Sequence, residues 1–248
     1  MLALLVKYKL TAISAALLGV AGMGGLGVAA ASGALPLNAL QAFQAQQGAT
    51  GNTASARWGL ARHILHGAVV LPENGAWITY TLDVGRVTSV SATAISLTRA
   101  DGSGVTLTVS PATRWGQRAQ APKDLARLAG REVAVLSLNG AAVHVGGRGI
   151  LKGFAYADLT LYRNGQTREI QLDRGVVRSV SATQISLTRA DGVILTLTLS
   201  PHARYRQAGV SGPVAASAVQ AGEYVTLLVV NHQVTGVRIA AATSASAA

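Results

Sequence analysis

Ser89 to Pro111 reads SVSATAISLTRADGSGVTLTVSP, and Ser179 to Pro201 reads SVSATQISLTRADGVILTLTLSP. Aligned without a gap, the two stretches agree at 18 of 23 positions and stand ninety residues apart. Agreement of that length means that one module occurs twice. Within the first copy Ile95 and Leu97 alternate with Ser96 and Thr98, then Val105, Leu107 and Val109 alternate with Thr106, Thr108 and Ser110. A period of two puts the apolar set on one face of a strand and the hydroxyls on the other. Each copy is therefore a β-hairpin, with Asp101-Gly102 or Asp191-Gly192 between its arms. Ser103 and Gly104 predict a longer or looser turn in the first copy. Asp101 and Asp191 read as turn residues bonding their own backbone, and Arg99 and Arg189 as solvated residues at strand ends.

The surrounding sequence supplies the rest of each module. Strands are expected over about 64–71 and 76–84, with Asn74-Gly75 between them, and Asn164-Gly165 takes the same place in the second copy. Ile150-Leu151-Lys152-Gly153 echoes the opening Ile64-Leu65-His66-Gly67, and Leu82-Asp83 is echoed by Leu172-Asp173. Gly85 and Gly175 interrupt the strand pattern, as a bulge or sharp bend in a small barrel requires. Pro122 to Gly130 carries the signals of a short helix, and Pro213 to Gly222 is its counterpart. Two more strands close each module, joined at Asn139-Gly140 and Asn231-His232. A helix between the third and fourth of five strands matches the order of an OB-like barrel, with a sandwich or open meander as the alternatives. The fold class is all-β: two tandem small OB-like barrels, residues 57–148 and 149–241, after an N-terminal hydrophobic helix.

That helix is read from residues 10–31, a run of apolar and small residues preceded by Lys7 and Lys9. Twenty-two helical residues at about 1.5 Å each cross a hydrocarbon core of about 30 Å, and the flanking charge favours export of the C-terminal side. Residues 1–33 are a cleaved signal peptide or an uncleaved signal anchor. Either way the protein is exported, secreted or membrane-anchored and facing outward. Residues 34–56 form a juxtamembrane segment, with Leu37, Leu40 and Phe43 at near-helical spacing, and a flexible linker. Residues 242–248 are a small-residue tail, expected to be disordered.

Cysteine is absent, which removes disulfides, thiol nucleophiles and cysteine-ligated metals. The net charge is +11, carried by 21 basic residues against 10 acidic ones. These arginines and lysines are spread singly, which reads as diffuse solubilising charge rather than a polyanion tract. His63 and His66 stand three apart with no third ligand near and no recurrence in the second copy, so no metal is assigned. There is no nucleophile motif, P-loop or dinucleotide fingerprint, so no catalytic residue and no cofactor is expected. The one repeated ligand-type pair is Arg114-Trp115, answered by Arg204-Tyr205. A base or sugar could stack there, or the aromatic ring could form a lid over one barrel end.

The pattern G-x-V-x-x-V, I-x-L-x-x-x-D-G, a V/L-T-x-T strand and an AG-x-x-V strand recurs in both modules. Gly85, Val87, Val90, Ile95, Leu97, Asp101, Gly102, Thr106, Thr108, Ala129, Gly130 and Val133 carry it in the first. The second supplies Gly175, Val177, Val180, Ile185, Leu187, Asp191, Gly192, Thr196, Thr198, Ala221, Gly222 and Val225. The pattern resembles an uncharacterised family of exported, actinobacterial-type bacterial proteins with small tandem β-barrel modules of unknown function. The resemblance implies no catalytic residue. The expected function is binding of a wall polymer or protein partner by a non-enzymatic envelope protein, with the membrane as a further partner if the N-terminal helix is retained. The alternatives are polyanion binding through a basic and aromatic face, acidic glycopolymers fitting an extracellular site better than nucleic acid, and a hydrolase, which the missing catalytic motifs disfavour.

Overall fold

The computed structural model describes residues 61–116, 125–147 and 153–240. The expected N-terminal helix, juxtamembrane segment, linker and C-terminal tail lie outside these residues, as do Pro122 to Asp124 and Ile150 to Lys152. No helix among the described residues is long and apolar enough to cross a membrane.

The described residues form thirteen strands. The first half contains β1 (Ile64–Glu73), β2 (Ala76–Val90), β3 (Ala94–Thr98), β4 (Gly104–Thr108), β5 (Arg114–Trp115), β6 (Glu132–Leu138) and β7 (Ala141–Gly146). The second contains β8 (Tyr156–Arg163), β9 (Gln166–Val180), β10 (Gln184–Arg189), β11 (Ile194–Gln207), β12 (Tyr224–Val230) and β13 (Gln233–Ile239). In the second half the ladders close on themselves: β9 pairs with β10, β10 with β11, β11 with β13, β13 with β12, and β12 with β9. This is a five-stranded barrel, and only its β11–β13 contact is parallel. The same ring of pairings, β2-β3-β4-β7-β6, recurs in the first half. Its parallel side is short, with Thr108 opposite Ala141 and β5 continuing along β7.

The alternation in the repeated stretch produces the expected faces. Ile95, Leu97, Leu107 and Val109 are buried, as are Ile185, Leu187 and Leu199. On the outside Ser96 Oγ lies 2.9 Å from Thr106 Oγ1, and Thr196 Oγ1 donates to Ser186 Oγ at 3.3 Å. Both hairpins turn the same way. Arg99 N donates to Ser103 O at 2.8 Å and Arg189 N to Val193 O at 2.7 Å, with Gly102 and Gly192 at φ +87° and +90°. The longer turn expected in the first copy does not occur, because Ser103 and Gly104 occupy the places of Val193 and Ile194 and insert nothing.

Three other expectations are corrected. The strand expected to end near Val84 runs on to Val90, and its counterpart runs to Val180. Each long strand pairs with a leading strand in its first half and with its barrel in the second, so continuity costs nothing and keeps the ladder satisfied. Gly85 and Gly175 mark the crossover: a Cβ at Gly175 would lie 2.1 Å from Thr188 O, and one at Gly85 2.7 Å from Thr98 O. Shortly after, in each ladder, a bulge skips Thr88 in one copy and Arg178 in the other, turning the strand into the barrel. The short helices are single 3-10 turns, Leu125–Leu128 and Ala216–Ala218. A single turn cannot repay α-helix nucleation, and Ala215 offers no side-chain cap. Finally, β8 begins at Tyr156, so Tyr156 and not Lys152 takes the place of His66. Gly153 sits ahead of β8 at φ +76°.

The leading strands decide how the halves meet. β1 and β8 pair antiparallel, with Gly67 opposite Leu159, Ala68 opposite Asp158 and Val69 opposite Ala157. Ala68 and Asp158 are equivalent positions ninety residues apart, so the ladder is centred on a local twofold axis. The four strands β2-β1-β8-β9 form one sheet, and its apolar side chains form a core shared by both halves, including Val69, Leu71, Tyr80, Leu82, Leu159, Leu161, Ile170 and Leu172. Separate cores fill the two barrels. Each buried Leu or Val of the shared core contributes about 1.5–3 kcal/mol to holding the halves together.

The Asn-Gly hairpins are two-residue turns with both residues left-handed: Asn74 and Gly75 have φ of +50° and +81°, and Asn139, Asn164 and their glycines behave alike. The β12–β13 turn instead puts His232 at φ +61°. A side chain there costs about 1–2 kcal/mol, partly offset by the extra unfolded-state entropy of glycine. His232→Gly is therefore expected to stabilise the protein by about 1 kcal/mol, read as a higher urea midpoint with an unchanged m-value.

Candidate ligand-binding surfaces

The repeated pair Arg114-Trp115 and Arg204-Tyr205 divides between surface and core. Trp115 is 7% exposed and packs with Val87, Ile95, Leu97, Leu107 and Val145. Tyr205 is half-buried against the second barrel's core. Both rings pack with the barrel cores, and a buried indole presents no face for stacking. Arg114 and Arg204 are exposed on the strands next to them. Arg114 lies opposite His144. Burial holds the His144 imidazole below its usual value, and its Nε2 meets no hydrogen-bond partner among the described residues. Arg204 lies opposite Gly236 and faces a cleft with Arg168 and His202.

Charge is buried elsewhere, at a place that repeats. Asp83 and Asp173 are 1% and 0% exposed on the inward side of β2 and β9. Arg99 donates to Asp83 Oδ1 through Nε at 3.0 Å and also through Nη2, while its Nη1 reaches Ser103 Oγ at 3.1 Å. Arg189 instead divides itself. Its Nη1 donates to Asp173 Oδ1 at 3.3 Å, while Nε and Nη2 form a fork on Asp191 at 2.8 and 2.6 Å. The guanidinium also lies 4.8 Å from the Tyr156 ring centre. Gln171 Nε2 donates to the other oxygen of Asp173 at 2.7 Å.

The solvated role expected for Arg99 and Arg189 is thus corrected: each is held over a buried carboxylate. Asp101 keeps its turn role, accepting from Ser103 N and Oγ at 3.0 and 2.7 Å, and the Ser103 hydroxyl holds it below the usual carboxylate range. Asp191 is a turn residue and also an ion-pair partner. Burial alone would raise its carboxyl, but the Arg189 fork brings it below the usual value. Burial pushes Asp173 up, against the bonds from Gln171 and Arg189. The arrangement is a structural clamp tying each hairpin to its long strand. Its sequence signal was available: Asp83 and Arg99 are sixteen residues apart, as are Asp173 and Arg189.

A different signal identifies surface of another kind. Four side chains lie in register across the outer face of the second barrel: Tyr224 opposite Val176, Val176 opposite Thr188, and Thr188 opposite Ile194. The equivalent row of the first barrel is Glu132, Arg86, Thr98 and Gly104. In matching register, Glu132 and Arg86 are replaced by Tyr224 and Val176, and Gly104 by Ile194, around a threonine common to both rows. Val176 is 39% exposed and Ile194 58%. Beside them stand the hydroxyls of Ser186 and Thr196. Reading identities between the copies finds the core; reading disagreements at outward positions finds this face.

Compared with protein-family models and with curated proteins, the chain matches none.

Proposed function

We propose that this chain is a non-enzymatic envelope protein, exported or membrane-anchored, whose tandem OB-like barrels bind a wall polymer or a protein partner. In this reading the second barrel makes the contact and the first supports it. The order first-second-third-fifth-fourth, with third and fifth strands parallel, supports the OB-like assignment. OB barrels bind ligands on the face of their second and third strands, which here are β10 and β11. The observation that carries the proposal is the row Tyr224–Val176–Thr188–Ile194, which runs from β12 and β9 onto β10 and β11, set against Glu132–Arg86–Thr98–Gly104 in the sister barrel. Exposed apolar side chains flanked by hydroxyls suit an uncharged polymer segment or a protein surface better than a polyanion. Export is inferred from residues 1–31 and from the resemblance to exported β-barrel proteins.

The test replaces the second row by the first. The full chain and its Val176→Arg/Ile194→Gly variant are incubated with isolated cell-wall material and with an envelope extract. Both side chains are exposed, so the melting temperature should hold. Binding of the wild type, reduced about tenfold or more in the variant, is the expected result, because the centre of a contact patch carries most of its affinity. Equal binding by the two proteins would move the contact surface elsewhere.

A further inference from the structure

We infer that the second barrel also carries a binding cleft, separate from its outer face, for a ligand with one anionic head on a short apolar chain. The cleft has a volume of about 420 Å³, within the range of small-ligand sites. Its floor is apolar: Leu161, Ile170, Leu228 and Val230. Its polar lining is basic or neutral, with Arg168 from β9, Ser200, His202 and Arg204 from β11, and Thr235 from β13. No acidic side chain among the described residues lines it. A basic rim over an apolar floor complements a carboxylate or phosphate that carries an alkyl body.

The first half supplies an internal control. At the positions of Arg168, Ile170 and Thr235 it has Ile78, Tyr80 and Val143, all packed into the shared core. The chain segment above the cleft differs in the same sense. In the first copy Thr113 fastens this segment, donating through Oγ1 to Ala142 O at 2.7 Å and accepting from Ser110 N at 3.1 Å. The second copy has Ala203 at this place and makes no such bond. Both copies leave the parallel partner here, the first between Thr108 and Arg114 and the second between Leu199 and Arg204, but only the first fastens the excursion. His202, where the first copy has Ala112, sits in that excursion. Five neighbouring positions differ: Ile78 to Arg168 and Ala112 to His202 add basic groups, Tyr80 to Ile170 and Thr113 to Ala203 remove bulk or a fastening bond, and Val143 to Thr235 exchanges a methyl for a hydroxyl. Drift on a solvated surface would not coordinate them around one cavity.

The probes are decanoate, decyl phosphate, decanol, acetate and inorganic phosphate, titrated calorimetrically into the full chain. A second protein, Arg168→Ile/Ile170→Tyr/His202→Ala/Ala203→Thr/Thr235→Val, gives these five positions the side chains of the first copy and differs nowhere else, so any binding to the apolar N-terminal stretch cancels. Decanoate or decyl phosphate should bind the wild type about tenfold or more tightly than decanol, the ratio expected of one charge-assisted contact. Acetate and phosphate should bind weakly, and the filled variant should lose the alkyl anions. A preference for decanoate over decyl phosphate names a carboxylate ligand; the reverse names a phosphate. Should the filled variant not fold, Arg204→Gln must lower alkyl-anion affinity and leave decanol unchanged. Equal binding of decanol, undiminished binding by the variants, or no binding by the wild type overturns the inference. The outer-face variant Val176→Arg/Ile194→Gly should bind decanoate normally, which separates failure of this site from failure of the polymer or partner reading.

Discussion

Gly67→Ala should cost at least about 3 kcal/mol and should act on the joint between the halves rather than inside either barrel. A Cβ at Gly67 would lie 2.1 Å from Asp158 O and 2.9 Å from Leu159 Cα. Both are backbone atoms of β8, next to the twofold centre of the β1–β8 ladder, so neither can rotate away as a side chain would. Relief requires the two strands to separate, which strips hydrogen bonds from Gly67, Ala68 and Val69 and loosens the shared core beneath. Overpacking of a well-filled site costs about 1–3 kcal/mol, and the lost ladder adds to that. Urea unfolding measures the loss. The second readout is cooperativity: the wild type should unfold in one transition for both barrels, because they share a core, and the variant should broaden or split it. A variant as stable and as cooperative as the wild type would mean that β1 and β8 do not hold the halves together. The comparison substitution is Gly75→Ala, which meets no atom within 4 Å and acts only through its φ of +81°.

Asp83→Ala should cost about 3 kcal/mol, and Asp173→Ala distinctly less. Removing one partner of a buried pair leaves the other charge uncompensated, at about 3–5 kcal/mol. The lower end applies because the Arg99 side chain remains 18% exposed and retains water on one side. Without Asp83, Arg99 keeps only Ser103. Without Asp173, Arg189 keeps its two bonds to Asp191 and its position over Tyr156. Burial also raises the Asp173 carboxyl, so its removal relieves a desolvation cost. Chemical denaturation of the two single variants measures the difference directly. Equal losses would show that the second Arg189 carboxylate does not substitute for the first.

Much of the architecture was legible because it depends on local pattern and on repetition. The alternation around Ile95 and Leu107 assigned faces, the Asn-Gly pairs assigned turns, and the second copy confirmed both by repeating them. The candidate sites were legible in a narrower way. Arg114-Trp115 and Arg204-Tyr205 were noticed because they repeat, yet repetition mainly preserves what folding needs, and Trp115 is accordingly in the core. Arg168, Val176, Ile194 and His202 do not repeat. Single exposed residues in a strand pattern look like ordinary surface until neighbouring strands place them in one row or around one cleft.

The sequence alone determined the all-β class, the duplication, the inward and outward sides of each hairpin and the left-handed turns, because these follow from a two-residue period and from the steric freedom of Gly and Asn. Only the tertiary structure decided that the leading strands join the halves about a twofold axis, that Arg99 and Arg189 neutralise buried carboxylates, and that the second barrel departs from the first at one face and one cleft. Those are relations between strands far apart in the chain. Their energies arise from register, burial and close approach, which no short window of sequence contains.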